Sequence, residues 1–346
     1  MMDSKAVTGS NSRLAYMDIA KGIAILAVLV GHFCDLDSIP RLVMFSFNLS
    51  LFFIISGFFV KDINLQQTVC KSGKSLLIPY VIGTVMVIIP EFWLYPVKTA
   101  LDNAQILLVD MFGGFCMELG IFRGFHSTCL LWFLPCLFVA RVLFVFIMKL
   151  TVKSNHQWAV RTIIFILFAF AGMVIGAASY YPWSIEIAFV TLPLLYFGHM
   201  LREHKALENK HRLVFAGIAL VIWVIMLWQG LYIEFAMHYW PGAFLTLFES
   251  MIASFVVLCL AQLLDKIALV NRVLCWAGKN SLVILLFHNL EARYVSWITI
   301  LSPEIIDKKL LLSLIRLTAI LLATGVVCVL RYLWNKTSGK QKFSKT

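Results

Sequence analysis

Arg13-Leu-Ala-Tyr-Met-Asp18-Ile-Ala-Lys21-Gly22-Ile-Ala-Ile-Leu-Ala-Val-Leu-Val-Gly31-His32 decides how the rest of the chain is read. It is apolar for long enough to cross a bilayer core, which takes roughly 17–25 residues. Yet it carries an acid, a base and a histidine. At about 100° per residue, Lys21 and His32 share one face to within about 20°, and Asp18 lies within about 60° of both. The two ends of this stripe are about 16 Å apart along the helix axis. Ionisable groups inside a span are costly and usually face a protein interior or a water-filled cavity. The plainer alternative is an Asp18–Lys21 surface pair at the membrane boundary, with His32 at the opposite interface. The shared face favours the interior, as do Gly22 and Gly31, which permit close helix approach.

Working outward, the same apolar character fills the chain. Its 346 residues are 61% hydrophobic and 14% charged, with a mean hydropathy of +0.89. Soluble domains average roughly 45–50% apolar and 25% charged. Too few polar side chains remain here to cover a water-facing surface. The expectation is an all-α polytopic bundle of about ten spans, near 14–34, 43–60, 75–96, 128–149, 162–179, 184–201, 212–232, 241–263, 276–298 and 309–333. The longest connection, 97–127, holds one apolar stretch, Ile106 to Phe115, expected at the interface or re-entering. The polar start, Met1 to Arg13, and the long run behind it do not resemble a cleaved signal. Eight cysteines are scattered with no CxxC pair. Of these, Cys34, Cys116 and Cys129 share the expected outer face, where one disulfide is open to them.

Orientation follows from the Lys and Arg bias of short loops. With the N-terminus inside, the cytoplasmic pieces hold 21 basic residues against 6 outside, Arg141 and Arg316 being left within spans. Both termini are then cytoplasmic, with 1–13 and 334–346 as tails of a single membrane domain. The net charge of +11 is topological, and nucleic-acid binding is excluded as its cause.

Other polar residues stand inside or beside spans. Asn48 and Ser56 on the second span suit interhelical hydrogen bonds, and Glu249 and Arg141 suit structural pairing. Arg316 is placed to snorkel to an interface. Glu118 and His126 lie in the long outer segment, before Trp132, whose plain reading is an aromatic belt. His288 near the middle of the ninth span reads as a packed, hydrogen-bonded histidine. His156, His204 and His211 fall in cytoplasmic loops and are expected to be solvated. No HExxH, P-loop or GxSxG pattern occurs, and no metal site is expected.

These residues resemble the membrane acyltransferase-3 family, bacterial enzymes that acylate surface and secreted carbohydrates. The likeness rests on Asp18, Lys21, Gly22 and His32. It continues with Phe52-Phe53-Ile-Ile-Ser56-Gly57-Phe58, then Lys71-Ser-Gly-Lys74 followed by Leu77-Ile-Pro79-Tyr80. Leu131-Trp132-Phe133-Leu134 and Gly278-Lys-Asn280-Ser281-Leu…His288 complete it, in family order over nearly the whole length. Members similar to fucose 4-O-acetylases often read F-H-M-P-L-F-F where this chain has Phe47-Asn48-Leu49-Ser50-Leu51-Phe52-Phe53. Lys21, Lys71 and Lys74 stand where arginine is common, keeping the charge for phosphate without the bidentate fork.

The resemblance implies O-acyl transfer, acetyl being the family's commonest group, from cytoplasmic acyl-CoA to a hydroxyl of an extracytoplasmic or lipid-linked glycan. Location would be the bacterial inner membrane, with no permanently bound cofactor. Lys21, Lys71 and Lys74 would receive the CoA phosphates, with Asp18 ordering Lys21. His32 would act as general base or acyl carrier, and Asn48, Ser56, Glu118, His126, Trp132 and His288 would support it. A separate extracytoplasmic transferase is a conceivable partner. The competing class is a small-molecule transporter or flippase of the same superfamily, for which ten helices with internal polar groups suit equally. A scaffold explains the fewest residues.

Overall fold

The computed structural model describes residues 14–60, 63–94 and 129–338, apart from the side chains of 91–94, Cys129 and Ile298. Glu118, His126, Cys116 and the stretch Ile106 to Phe115 lie outside the described residues. The outer disulfide expected from Cys116 or the Cys129 side chain is likewise outside them.

Seven described helical spans are long and apolar enough to cross a membrane, nine if each of two bent pairs counts as one. They comprise α1 (Ala15–Phe33); α2 (Ile39–Phe45) running into α3 (Asn48–Phe58); and α4 (Leu65–Ser72), which continues through a π-helical turn, Gly73–Leu77, into α5 (Ile78–Leu94). Then come α6 (Phe133–Leu150), α7 (Gln157–Ala178), and the bent pair α8 (Ile185–Val190) with α9 (Leu192–Glu203). α10 (Arg212–Trp228) is apolar but has only 17 residues. α11 (Phe244–Leu264), the bent pair α12 (Ala268–Lys279) with α13 (Ser281–Tyr294), and α14 (Lys309–Thr337) complete the bundle.

Each expected span has a counterpart, but four need correction. The third begins at Leu65, because the π turn carries the helix past Gly73 rather than ending it. The sixth bends by 52° between α8 and α9, where Pro193 at the start of α9 has no N–H to continue the ladder. The seventh stops at Trp228, and Gly230 follows with φ +74°. The ninth is 268–294 rather than 276–298, broken at Asn280 by 67°. There the Asn280 side-chain amide donates to the Trp276 carbonyl at 2.8 Å, alongside the Asn280 backbone N–H, which reaches the same oxygen at 3.1 Å.

α1 is the central helix. Of its most apolar window 61% is buried, against 11% for α14, which lies at the periphery. α1 packs on α3, α11, α12 and α13. Two crossings bring backbones together through glycine. A Cβ at Gly22 would strike the Leu274 carbonyl, and one at Gly278 the Asp18 carbonyl, so α1 and α12 seat only as glycines. Gly57 on α3 and Gly198 on α9 form a second such crossing, against Leu195 and Ile54. Small residues at helix crossings are how membrane bundles gain close packing.

The connection 229–243 does not remain outside the bundle. Glu234 and Tyr239 exchange backbone hydrogen bonds around a single 3-10 turn, Phe235–Met237. Ile233 and Phe235 are buried, and the Phe235 ring meets Phe53 at 5.9 Å. This strap roofs the end of the bundle where α1 finishes at His32 and Phe33.

Candidate active site

A cavity of about 610 Å³ runs between α1, α3, the α4–α5 turn, α6, the strap and α12–α13. Its lining includes Lys21, Ser75, Lys279 and Ser281 on elements whose ends are cytoplasmic by the charge bias, and His32, Glu234 and Met237 on elements whose ends are outer. Apolar walls such as Ile25, Val28, Phe52, Phe133 and Leu137 connect the two. Its size falls within the range of roughly 300–1,000 Å³ usual for ligand pockets.

The Lys21 end is built on α1 and α12. Lys21 Nζ lies 3.7 Å from Asp18 Oδ1 and 5.6 Å from the centre of the Phe59 ring. Asp18 is buried and Lys21 is 29% exposed, so the carboxylate holds the ammonium while leaving it open to the cavity. Lys279 joins it because Gly278 brings α12 against α1. Lys71 and Lys74 are exposed and do not line the cavity, although Ser75, beside Lys74 on the π turn, does. π turns are frequent at functional sites because they displace the side chains that follow.

At the other end the His32 Nδ1 lies 2.7 Å from the Val28 carbonyl. A carbonyl only accepts, so Nδ1 carries the proton and Nε2 keeps its lone pair. The imidazole is exposed and lines the cavity, which makes it a base with a route to a ligand. Behind it stands His288, 1% exposed, with its ring edge-on at 5.2 Å from that of His32. His288 Nδ1 is 3.4 Å from Glu291. Glu291 accepts from Trp297 Nε1 at 2.6 Å and from Arg316 Nε at 2.7 Å. Arg316 therefore does not snorkel outward as expected: its guanidinium is held by Glu291 and sits 4.1 Å from the centre of the Phe33 ring.

Asn48 lines the cavity and is buried. Its Oδ1 accepts from the Leu49 N–H at 2.6 Å, while Nδ2 has no hydrogen-bond partner among the described residues. Trp132 also lines the cavity at 3% exposure, so it belongs to the interior and not to an aromatic belt. Neither Ser56 nor His288 lines the cavity. Among the described residues, Glu249 is buried with neither carboxylate oxygen hydrogen-bonded, and Arg141 Nε likewise lacks a partner, so the structural pairing expected for them is not found. His156, His204 and His211 are exposed, as expected of loop histidines. No group of three potential metal ligands occurs among the described residues.

Sequence reasoning missed Lys279, Glu291, Arg41 and Glu234. Lys279 stood inside a quoted motif, and Glu291 follows His288 by one helical turn, so both had a local signal. Arg41 and Glu234 are 193 positions apart and had none.

A multi-span helical bundle with a cationic group at one end of an internal cavity and an imidazole at the other defines a membrane-embedded protein with a two-ended site. The chain belongs to the acyltransferase-3 family: a family model described as an acyltransferase domain matches residues 14–333. It is a membrane acyltransferase of that family. Neither a curated protein nor a solved structure matches the chain.

Proposed function

We propose that the protein moves an acyl group from cytoplasmic acyl-CoA to a hydroxyl of a glycan on the far side of a bacterial inner membrane. The observation that carries this reading is the single cavity lined by both Lys21 and His32. A thioester on a long, thin arm suits that shape. Its phosphates stay with Lys21 and Lys279, with Lys71 and Lys74 as an outer ring of charge, and its carbonyl carbon reaches His32. Acetyl is the simplest acyl group consistent with the family.

His32 Nε2 takes the proton from the acceptor hydroxyl as its oxygen attacks the thioester carbon. The C–S bond then breaks, and the proton held on Nε2 passes to the departing CoA sulfur. Asn48 Nδ2, a donor with no partner among the described residues, is suited to the oxyanion that forms between these steps. Trp132 and Phe133 wall off the path from bulk water. Attack by Nε2 itself, giving an acyl-histidine, uses the same lone pair and the same cavity. A separate extracytoplasmic partner is not needed for either route.

The test uses purified full-length protein in nanodiscs with radiolabelled acetyl-CoA, following thioester cleavage and acylated product. His32→Ala is expected to lose transfer by at least about 10²-fold, the usual contribution of a general base, while still inserting and folding. Full activity in that variant overturns the mechanism. CoA-independent solute uptake by the wild type would favour a carrier instead.

A further inference from the structure

We propose that the strap 229–243 is the acceptor-recognition element of the site, and that Glu234 on it binds hydroxyls of a neutral polyol, such as a sugar, next to His32. This rests on the transfer reading above. Glu234 lines the same cavity as His32 and is the one carboxylate among the described lining residues. Arg41 Nη2 donates to Glu234 Oε1 at 2.8 Å, and Arg41 Nη1 donates to the Gly31 carbonyl at 2.9 Å. One guanidinium therefore ties the strap carboxylate to the residue preceding the histidine. The Arg41 side chain is 8% exposed and sits 4.3 Å from the centre of the Phe45 ring, which fixes its plane.

Only Oε1 is used by Arg41, and no protein donor reaches Oε2 among the described residues. A carboxylate oxygen facing a cavity accepts well from hydroxyl groups, and a charged acceptor is stronger than a neutral one. The strap is rigid enough to hold that oxygen in place. The Glu234–Tyr239 bridge closes its hairpin, and His238 Nε2 meets Glu186 Oε1 at 3.1 Å, with Tyr180 stacked on the His238 ring at 4.3 Å. Anchored at both ends, Glu234 pays little ordering entropy on binding. Met237, 53% exposed, also lines the cavity and marks its outer mouth. A lone alcohol would satisfy His32, whereas a polyol would satisfy His32 and Glu234 together. A site that hydrogen-bonds a hydroxyl rejects analogues lacking it, because its buried polar group is left unpaired.

The test compares binding of a panel of neutral p-nitrophenyl glycosides with that of p-nitrophenethyl alcohol, by equilibrium dialysis against the full chain in nanodiscs. Acyl-CoA is left out and His32 is kept, so binding is read without chemistry. The expected result is that at least one glycoside binds more tightly than the lone alcohol. Glu234→Gln should weaken that glycoside about tenfold, leave the alcohol unchanged, and leave the melting temperature within a few degrees. Glu234→Asp, which keeps the charge on a shorter arm, should fall between. Equal binding of glycosides and alcohol overturns the proposal. So does an unchanged glycoside affinity in Glu234→Gln, or a lower melting temperature there with affinities unaltered, which would make the pair purely structural. Loss of acetyl-CoA cleavage in the wild type would count against the transfer reading alone, since these binding readouts do not depend on it.

Discussion

Lys21 and Lys71 carry the same charge but stand in different surroundings, and that difference sets what each substitution should do. Lys21 is held by a buried carboxylate at the cavity wall, where bulk salt screens little. Lys71 and Lys74 are exposed, where screening is strong. On the proposed reading, Lys21→Ala should raise the KM for acyl-CoA about tenfold and spare kcat. That is about 1.4 kcal/mol, near the lower end of what one hydrogen bond to a charged group contributes. Lys71→Ala with Lys74→Ala should raise it less, and the difference should shrink in high salt. Initial rates against acyl-CoA concentration at two ionic strengths check both, and an unchanged KM in Lys21→Ala contradicts the phosphate assignment. At this scale the sequence was legible where spacing is local. The eleven-residue interval from Lys21 to His32 put both on one face, and both line one cavity. The Arg41–Glu234 pair was invisible, because nothing within either helix or loop records a contact across 193 positions.

Among the elements, α12 shows how one short motif does several jobs. Gly278 lets the helix meet α1, Lys279 enters the cavity, Asn280 closes the break by bonding the Trp276 carbonyl, and Ser281 begins the next helix on the cavity wall. Gly278→Val should therefore destabilise the fold by at least about 1–3 kcal/mol, as overpacking does. Gly217→Val on α10, where an added Cβ meets nothing within 4 Å, should be far milder. Thermal unfolding of the two variants in one detergent checks this, and equal melting temperatures would refute the packing account. Helix existence could be read from hydropathy because a span must be apolar throughout. The breaks were harder to read: the one at Pro193 has a local cause in the missing N–H, whereas Asn280 is compatible with a continuous helix and tertiary partners decide where that bend falls. The strap escaped notice for a related reason. Its sequence is largely apolar and aromatic, like the spans on either side, and the burial of Leu231, Ile233 and Phe235 is what draws it inward.

For the molecule as a whole, the proposed reading turns the membrane from a support into part of the reaction path. α1 is central, and the stripe along it reaches the cavity at both ends, so on that reading donor and acceptor need never share a compartment. The charge bias that oriented the chain also assigns the ends: Lys21 inside and His32 outside. The most direct test is sidedness. Proteoliposomes with a membrane-impermeant acyl-CoA on the Lys21 side only and a neutral glycoside acceptor on the His32 side only should yield acylated glycoside on the acceptor side and free CoA on the donor side, with neither product in vesicles carrying His32→Ala. Product formed only when donor and acceptor are placed on the same side would contradict the account.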